Sequence, residues 1–193
     1  MLPCVYALCS SKSKEMYVEL IKQIKLILIG DLDVMISTNH YMPQVCLTDF
    51  ELAIMTALAS EFSGITLKGC FFHFKQAIHR WISNHNYKTT YKTNNTFRIW
   101  VNKLGALALI PIDKIDIAWA NIKNQKIVGI NLQPIIAYFE STWLNGVEQF
   151  KPSVWNHFDF IGPKTNNDLE AFNRKWFDLS NTCTYYQICF DSK

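Results

Sequence analysis

The sequence predicts an α/β core followed by an all-helical block, and three observations lead there. Within the first 85 residues, short strand-like apolar runs alternate with amphipathic stretches in the order strand, helix, strand, helix, strand, helix. Beyond them, two segments open on a proline and continue with apolar residues at helical spacing. The composition is that of a chain built to pack: of 193 residues, 49% are hydrophobic and 14% aromatic, and Gly 7 with Pro 6 leaves little room for long irregular stretches. Disordered, collagenous and low-complexity classes are excluded on the same grounds. The length suits one domain, or one domain carrying an insertion.

Residues 4–9, Cys-Val-Tyr-Ala-Leu-Cys, are rich in strand formers. Between residues 13 and 28, Tyr17, Leu20, Ile21, Ile24, Ile27 and Leu28 recur at helical spacing with Lys and Glu between them, which predicts an amphipathic helix. Gln44-Val45-Cys46-Leu47 reads as a second, buried strand. Asp49 and Glu51 then mark a helix start, because a carboxylate accepts hydrogen bonds from the orphan amides there and suits the positive end of the helix dipole. Ile54, Ala57, Leu58 and Phe62 give that helix its apolar face, and Ser63-Gly64 stops it. Residues 65–74 read as a third strand, and 76–83 as a helix showing Ile78, Trp81 and Ile82. The Thr-, Lys- and Asn-rich stretch 86–95 predicts a loop. Residues 96–150 read as all helical, with Pro111 and Pro134 in the first turns of helices 111–123 and 134–144. Gly162-Pro163 is a turn, and Thr165-Asn166-Asn167-Asp168 offers N-caps to a last helix ending near residue 178.

The net charge of +3 is mildly basic and does not by itself point to nucleic acid. Only Arg80, Arg98 and Arg174 are arginines, and lysine clusters such as Lys12, Lys14 and Lys22, Lys25 read as solvated helix faces. The longest apolar run, residues 104–112, is far shorter than the ~20 residues a membrane-spanning helix needs. The first residues lack the basic start of a secretory signal, so an intracellular protein with no membrane contact is expected. In that setting Cys4, Cys9, Cys46, Cys70, Cys183 and Cys189 are expected to be reduced rather than a disulfide framework.

Four residues stand out for chemistry. Asp49 follows a buried strand, where an α/β sheet usually holds its site, although an N-cap role explains the position equally. In the last helix Leu169, Phe172 and Trp176 form the buried stripe, and Asn166, Glu170 and Asn173 share the adjoining flank. Glu170 is therefore either a site carboxylate or a solvated helix residue. Cys70 and His73 form a Cys-x-x-His pair, a zinc-like spacing that lacks a second pair nearby; His157 and Cys183 are the distant candidates. The alternative for the pair is a strand facing the core or a polar pocket. Glycine-rich phosphate loops, nucleophile elbows and paired-histidine protease motifs are not found.

Read together, these segments resemble the transposase domain of Mutator-like elements, the MULE transposases. The resemblance is carried by residues 2–8 followed by 11–17, by Leu47-Thr48-Asp49-Phe50-Glu51-Leu52-Ala53 and by Gly69-Cys70-Phe71-Phe72-His73-Phe74-Lys75-Gln76-Ala77. It continues through Leu107-Ala108-Leu109-Ile110-Pro111, Tyr138-Phe139, Trp143-Leu144 and Thr165-Asn166-Asn167-Asp168-Leu169-Glu170-Ala171-Phe172-Asn173, so that residues 2–175 are covered. It implies a ribonuclease-H-like core interrupted by a helical insertion. The corresponding boundaries are a partial core over 1–85, an insertion over 86–162, a returning core helix with the third acid over 163–178 and a divergent tail over 179–193.

The chemistry implied is that of Asp-Asp-Glu strand cleavage and transfer, in which carboxylates hold two Mg²⁺ (or Mn²⁺) ions for in-line attack on phosphate. By the resemblance Asp49 is the second acid and Glu170 the third, while Cys70 and His73 brace the strand or help hold zinc. The first acid of the family lies on a strand ahead of the residues that match here, and Asp31 and Asp33 follow the first helix, in the wrong place to replace it. A catalytically incomplete domain with an open sheet edge, lacking the family's DNA-binding region, is therefore expected. The resemblance implies DNA, transposase subunits or a second copy as partners, and the nucleus as location. A non-enzymatic module that binds DNA or protein through Trp81, Trp143 and Phe158 is the alternative.

Overall fold

The computed structural model describes residues 7–29, 43–147, 150–165 and 185–186. It is a mixed α/β structure, mostly helical, with a small two-stranded parallel sheet. The chain divides into two compact units, one of Met1–Lys68 with Thr165–Lys193 and the other of Gly69–Lys164.

In the first unit, β1 (Ala7–Leu8) pairs antiparallel with β4 (Tyr185–Tyr186), Ala7 opposite Tyr186 and Leu8 opposite Tyr185. Ala7 and Leu8 belong to the strand predicted at 4–9. Helix α1 (Lys14–Ile29) presents Tyr17, Ile21 and Ile24, all buried, on one face. It packs on α2 (Leu52–Glu61), whose Ile54, Met55, Ala57 and Leu58 are buried. Between these helices runs β2 (Val45–Thr48), with Cys46 and Thr48 buried in strict alternation, the period-two pattern of a strand. β3 (Thr66–Gly69) follows α2 and lies beside β2, the amide of Thr66 donating to the Gln44 carbonyl at 2.8 Å. The reversal after α2 passes through Gly64 at φ 79°, a left-handed conformation that glycine adopts at no steric cost.

The second unit begins where the predicted third strand ends too early. Residues 71–74 are the first turn of α3 (Phe71–Asn84) and not strand, with the Phe74 amide bonded to the Cys70 carbonyl at 2.9 Å. The reason is the placement of Phe74, Ile78 and Ile82 one turn apart on a single buried face, which overrides the strand preference of the local Phe run. The predicted loop at 86–95 holds a further helix, α4 (Lys88–Thr93), that buries no residue of its own. Helix α5 (Asn95–Ala106), two 3₁₀ turns at Leu107–Leu109 and Ile112–Lys114, and α6 (Ile115–Lys123) follow. Helix α7 (Gln133–Phe139) runs into a π turn at Glu140–Leu144, closed by the Asn145 amide on the Glu140 carbonyl at 2.8 Å, and α8 (Pro152–Trp155) ends the series. The helical block predicted for 96–150 stands among the described residues.

The core of this unit is aromatic. Phe74 stacks on Trp155 with centroids 5.0 Å apart and meets Trp143 edge-on at 4.8 Å. Each buried indole N–H has an acceptor, as burial of a polar group requires. Trp100 donates to the Ile122 carbonyl at 3.0 Å, Trp143 to the Tyr138 hydroxyl at 3.0 Å, and Trp155 to the carbonyls of Trp143 and Phe150 at 2.9 and 3.0 Å.

Candidate functional site

Asp49 is exposed and directly follows Thr48, the last residue of β2, so it stands at the C-terminal end of a parallel strand. Thr48 is buried, and its hydroxyl faces the Lys68 carbonyl at 3.5 Å, which ties the strand end to β3. The chain then turns sharply at Phe50, a non-glycine residue at φ 68°. Such a conformation persists only where its surroundings hold it. Here the holding groups are visible. Asp49 Oδ1 accepts from the Glu51 amide at 3.3 Å, and the Glu51 carboxylate accepts from the Tyr17 hydroxyl at 2.6 Å and pairs with Lys12 at 3.6 Å. Asp49 therefore caps its own turn and not helix α2. The N-cap of α2 is Glu51, without a side-chain capping bond. The helix boundary predicted at Thr48-Asp49-Phe50-Glu51 holds, and the atoms that make it differ.

Glu170, Asn166, Asn173 and the whole predicted last helix lie outside the described residues, as does Cys183. Cys70 and His73 stand on a helix and not on a strand. Cys70 is the buried N-cap residue of α3 and His73 sits half-buried in its first turn. His157 is fully buried, with Nε2 2.7 Å from the Gly69 carbonyl oxygen. A carbonyl only accepts, so Nε2 carries the hydrogen and offers no lone pair to a cation. Its ring also meets Phe71 at 6.1 Å, while the Phe71 amide bonds to the Lys164 carbonyl at 2.8 Å. His157 thus fastens residues 157–164 to the start of α3.

Neither metal finds its donor set in these residues alone. Zinc takes four ligands in a structural site and Cys70 with His73 supplies two. Around Asp49, the nearby carboxylate of Glu51 is engaged by Tyr17 and Lys12. Among the described residues no group of three or more His, Cys, Asp or Glu is placed to hold an ion.

Of the aromatic residues expected at the surface, Phe158 is exposed and Trp81 half-exposed, but Trp143 is buried. Its indole belongs to the core because Phe74 packs edge-on against it and Tyr138 accepts its N–H. Sequence reasoning missed Tyr17, Glu51 and Lys12 as the groups holding the Asp49 turn. A phenol inside an otherwise aliphatic buried helix face was the available signal, since a buried hydroxyl needs a partner.

Residues 1–77 match the family model of the MULE transposase domain. The matched stretch includes Asp49, Cys70 and His73, so the resemblance read over residues 2–175 is carried by the family model across its first part. That part of the chain is similar to MULE transposase domains. No curated protein and no solved structure matches the chain. No helix among the described residues is long and apolar enough to cross a membrane.

Proposed function

We propose that this chain is transposase-derived and associates with DNA, with Asp49 and Glu170 standing for the second and third acids of an Asp-Asp-Glu site on a ribonuclease-H-like core. The observation that carries the reading is the position of Asp49. It lies inside the MULE match and at the exposed C-terminal end of β2, fixed by a turn that Tyr17 and Glu51 hold. Mg²⁺ or Mn²⁺, when bound to such carboxylates, would activate the attacking oxygen and stabilise the leaving one. The resemblance assigns Asp49 and Glu170 to two of the site's three acids, and two carboxylates without their shared third ligand are expected to leave strand cleavage near zero.

Supercoiled plasmid incubated with the 193-residue protein and Mg²⁺ or Mn²⁺ tests this. The expected result is no nicking above a metal-free control. Robust nicking abolished by Asp49→Ala would instead establish a working nuclease. Binding to duplex DNA whose affinity falls steeply with salt supports the DNA association, since phosphate contacts release counterions. A second reading, a non-enzymatic protein-binding module, is favoured by exposed Phe158 close in sequence to Ile161, which is 83% exposed. It gains ground if duplex binding is absent. Transposase subunits or a second copy are its partners of choice. Under either reading the protein acts in the nucleus, which a fluorescent fusion would check.

A further inference from the structure

At the end of α3 the structure carries a stack of aromatic rings unrelated to Asp49. His85 lies on Trp81 with centroids 3.9 Å apart and planes at 9°, and Tyr138 lies on Trp81 at 4.9 Å and 13°. His85 Nδ1 is 2.8 Å from the Trp81 carbonyl oxygen, so Nδ1 carries the hydrogen and the ring is pinned in its stacked pose. Trp81 and Tyr138 are half-buried while His85 is exposed, so the stack ends in solvent.

Along the chain its neighbours are basic. Exposed Arg80 precedes Trp81 and acts electrostatically on the Tyr138 hydroxyl, and exposed Lys88 opens α4 three residues after His85. Residues 62–112 contain seven Lys and Arg and not one Asp or Glu, in a chain whose net charge is only +3. That segregation favours an anionic partner over an apolar one.

We propose that the exposed face of His85 is the end of a stacking platform for single-stranded DNA, with Arg80 and Lys88 meeting the backbone phosphates. The proposal rests on the DNA reading above. An unpaired base offers a π face to any exposed ring, whatever its sequence, and a ring already held in place loses little entropy on contact. A duplex hides its base faces, so the platform selects single strands.

Anisotropy of fluorescein-labelled dT16 with the full protein tests it. His85→Ala is expected to weaken dT16 binding roughly 5- to 100-fold, and His85→Phe, which keeps a ring, to retain it. Arg80→Ala should weaken binding and reduce the log–log salt slope by about 0.7. His85 and Arg80 are exposed, and an unchanged circular dichroism spectrum confirms that the variants fold. Unchanged dT16 binding by His85→Ala overturns the proposal, as does tighter binding of rU16 than of dT16. Duplex binding without dT16 binding overturns it while leaving the DNA reading intact. Binding of neither overturns both.

Discussion

The Asp49 turn depends on a single short hydrogen bond more than on its ion pair. Lys12 is mostly exposed and 3.6 Å from Glu51, the kind of surface pair that contributes little. Tyr17 is fully buried and donates to the same carboxylate at 2.6 Å, a charge-assisted bond. Tyr17→Phe removes only the hydroxyl and should destabilise the protein by about 1–2 kcal/mol, whereas Lys12→Ala should change stability by less than about 0.5 kcal/mol. Urea unfolding midpoints check both, and equal effects would contradict the ranking. His79 offers a second test. Partial burial, and secondarily the Lys75 charge, lowers its pKa below the ordinary histidine value, and Tyr91 meets its ring edge-on at 4.9 Å. The unfolded chain then binds the proton more readily than the folded one. Stability from this residue is therefore complete above the ordinary histidine pKa and falls as pH drops through it toward the lower folded value. Thermal midpoints should decline as the pH falls below the ordinary histidine value of about 6.5, with a shallower slope in His79→Gln.

Helices α4 and α5 meet at one residue. Asn94 ends α4 with its amide on the Thr90 carbonyl at 2.8 Å, and starts α5 by accepting from the Phe97 amide at 3.0 Å through Oδ1. Asn94→Ala should cost about 1 kcal/mol and Asn94→Asp nearly nothing, since a carboxylate accepts the same bond. Chemical denaturation of the two variants separates them. This junction also explains what could and could not be read from the chain. Helices α1, α2, α6 and α7 bury an apolar stripe, and their periodicity was visible in Tyr17/Ile21/Ile24 or Ile115/Trp119/Ile122. Helix α4 buries nothing and is held by tyrosine hydroxyls, Tyr87 on the Asn131 carbonyl at 2.7 Å and Tyr91 on Asn102 Oδ1 at 3.2 Å, so no periodicity could reveal it. Residues 71–74 misled for the opposite reason. A run of Phe suits a strand locally, and only Phe74, Ile78 and Ile82 taken together show the helical face. At the candidate site the position of Asp49 was legible from its strand. The turn that holds it was not, because its partners lie 34 residues apart in Tyr17 and Glu51.

The net charge of +3 averages over a chain whose signs are segregated, and the acid-free stretch 62–112 is balanced by acidic residues elsewhere. Solubility follows the total, but encounters with a polyanion follow the local field. Most of that stretch falls in the unit Gly69–Lys164, whose buried tryptophans find their acceptors inside the unit. The indoles of Trp100, Trp143 and Trp155 donate to the Ile122 carbonyl, the Tyr138 hydroxyl and the carbonyls of Trp143 and Phe150. Trp119 donates to Glu140, whose carboxylate is held below its ordinary pKa first by that bond and then by Lys123. All of these donors and acceptors lie within residues 69–164. A fragment of those residues should therefore fold alone, giving a helical circular dichroism spectrum and a cooperative melt with an enthalpy of about 60–80 kcal/mol, as for a domain of about 100 residues. Phe74, stacked on Trp155 at the centre, should make Phe74→Ala cost about 3–5 kcal/mol in that fragment. A broad, non-cooperative melt of the unmutated fragment would show that its aromatic core needs the rest of the chain.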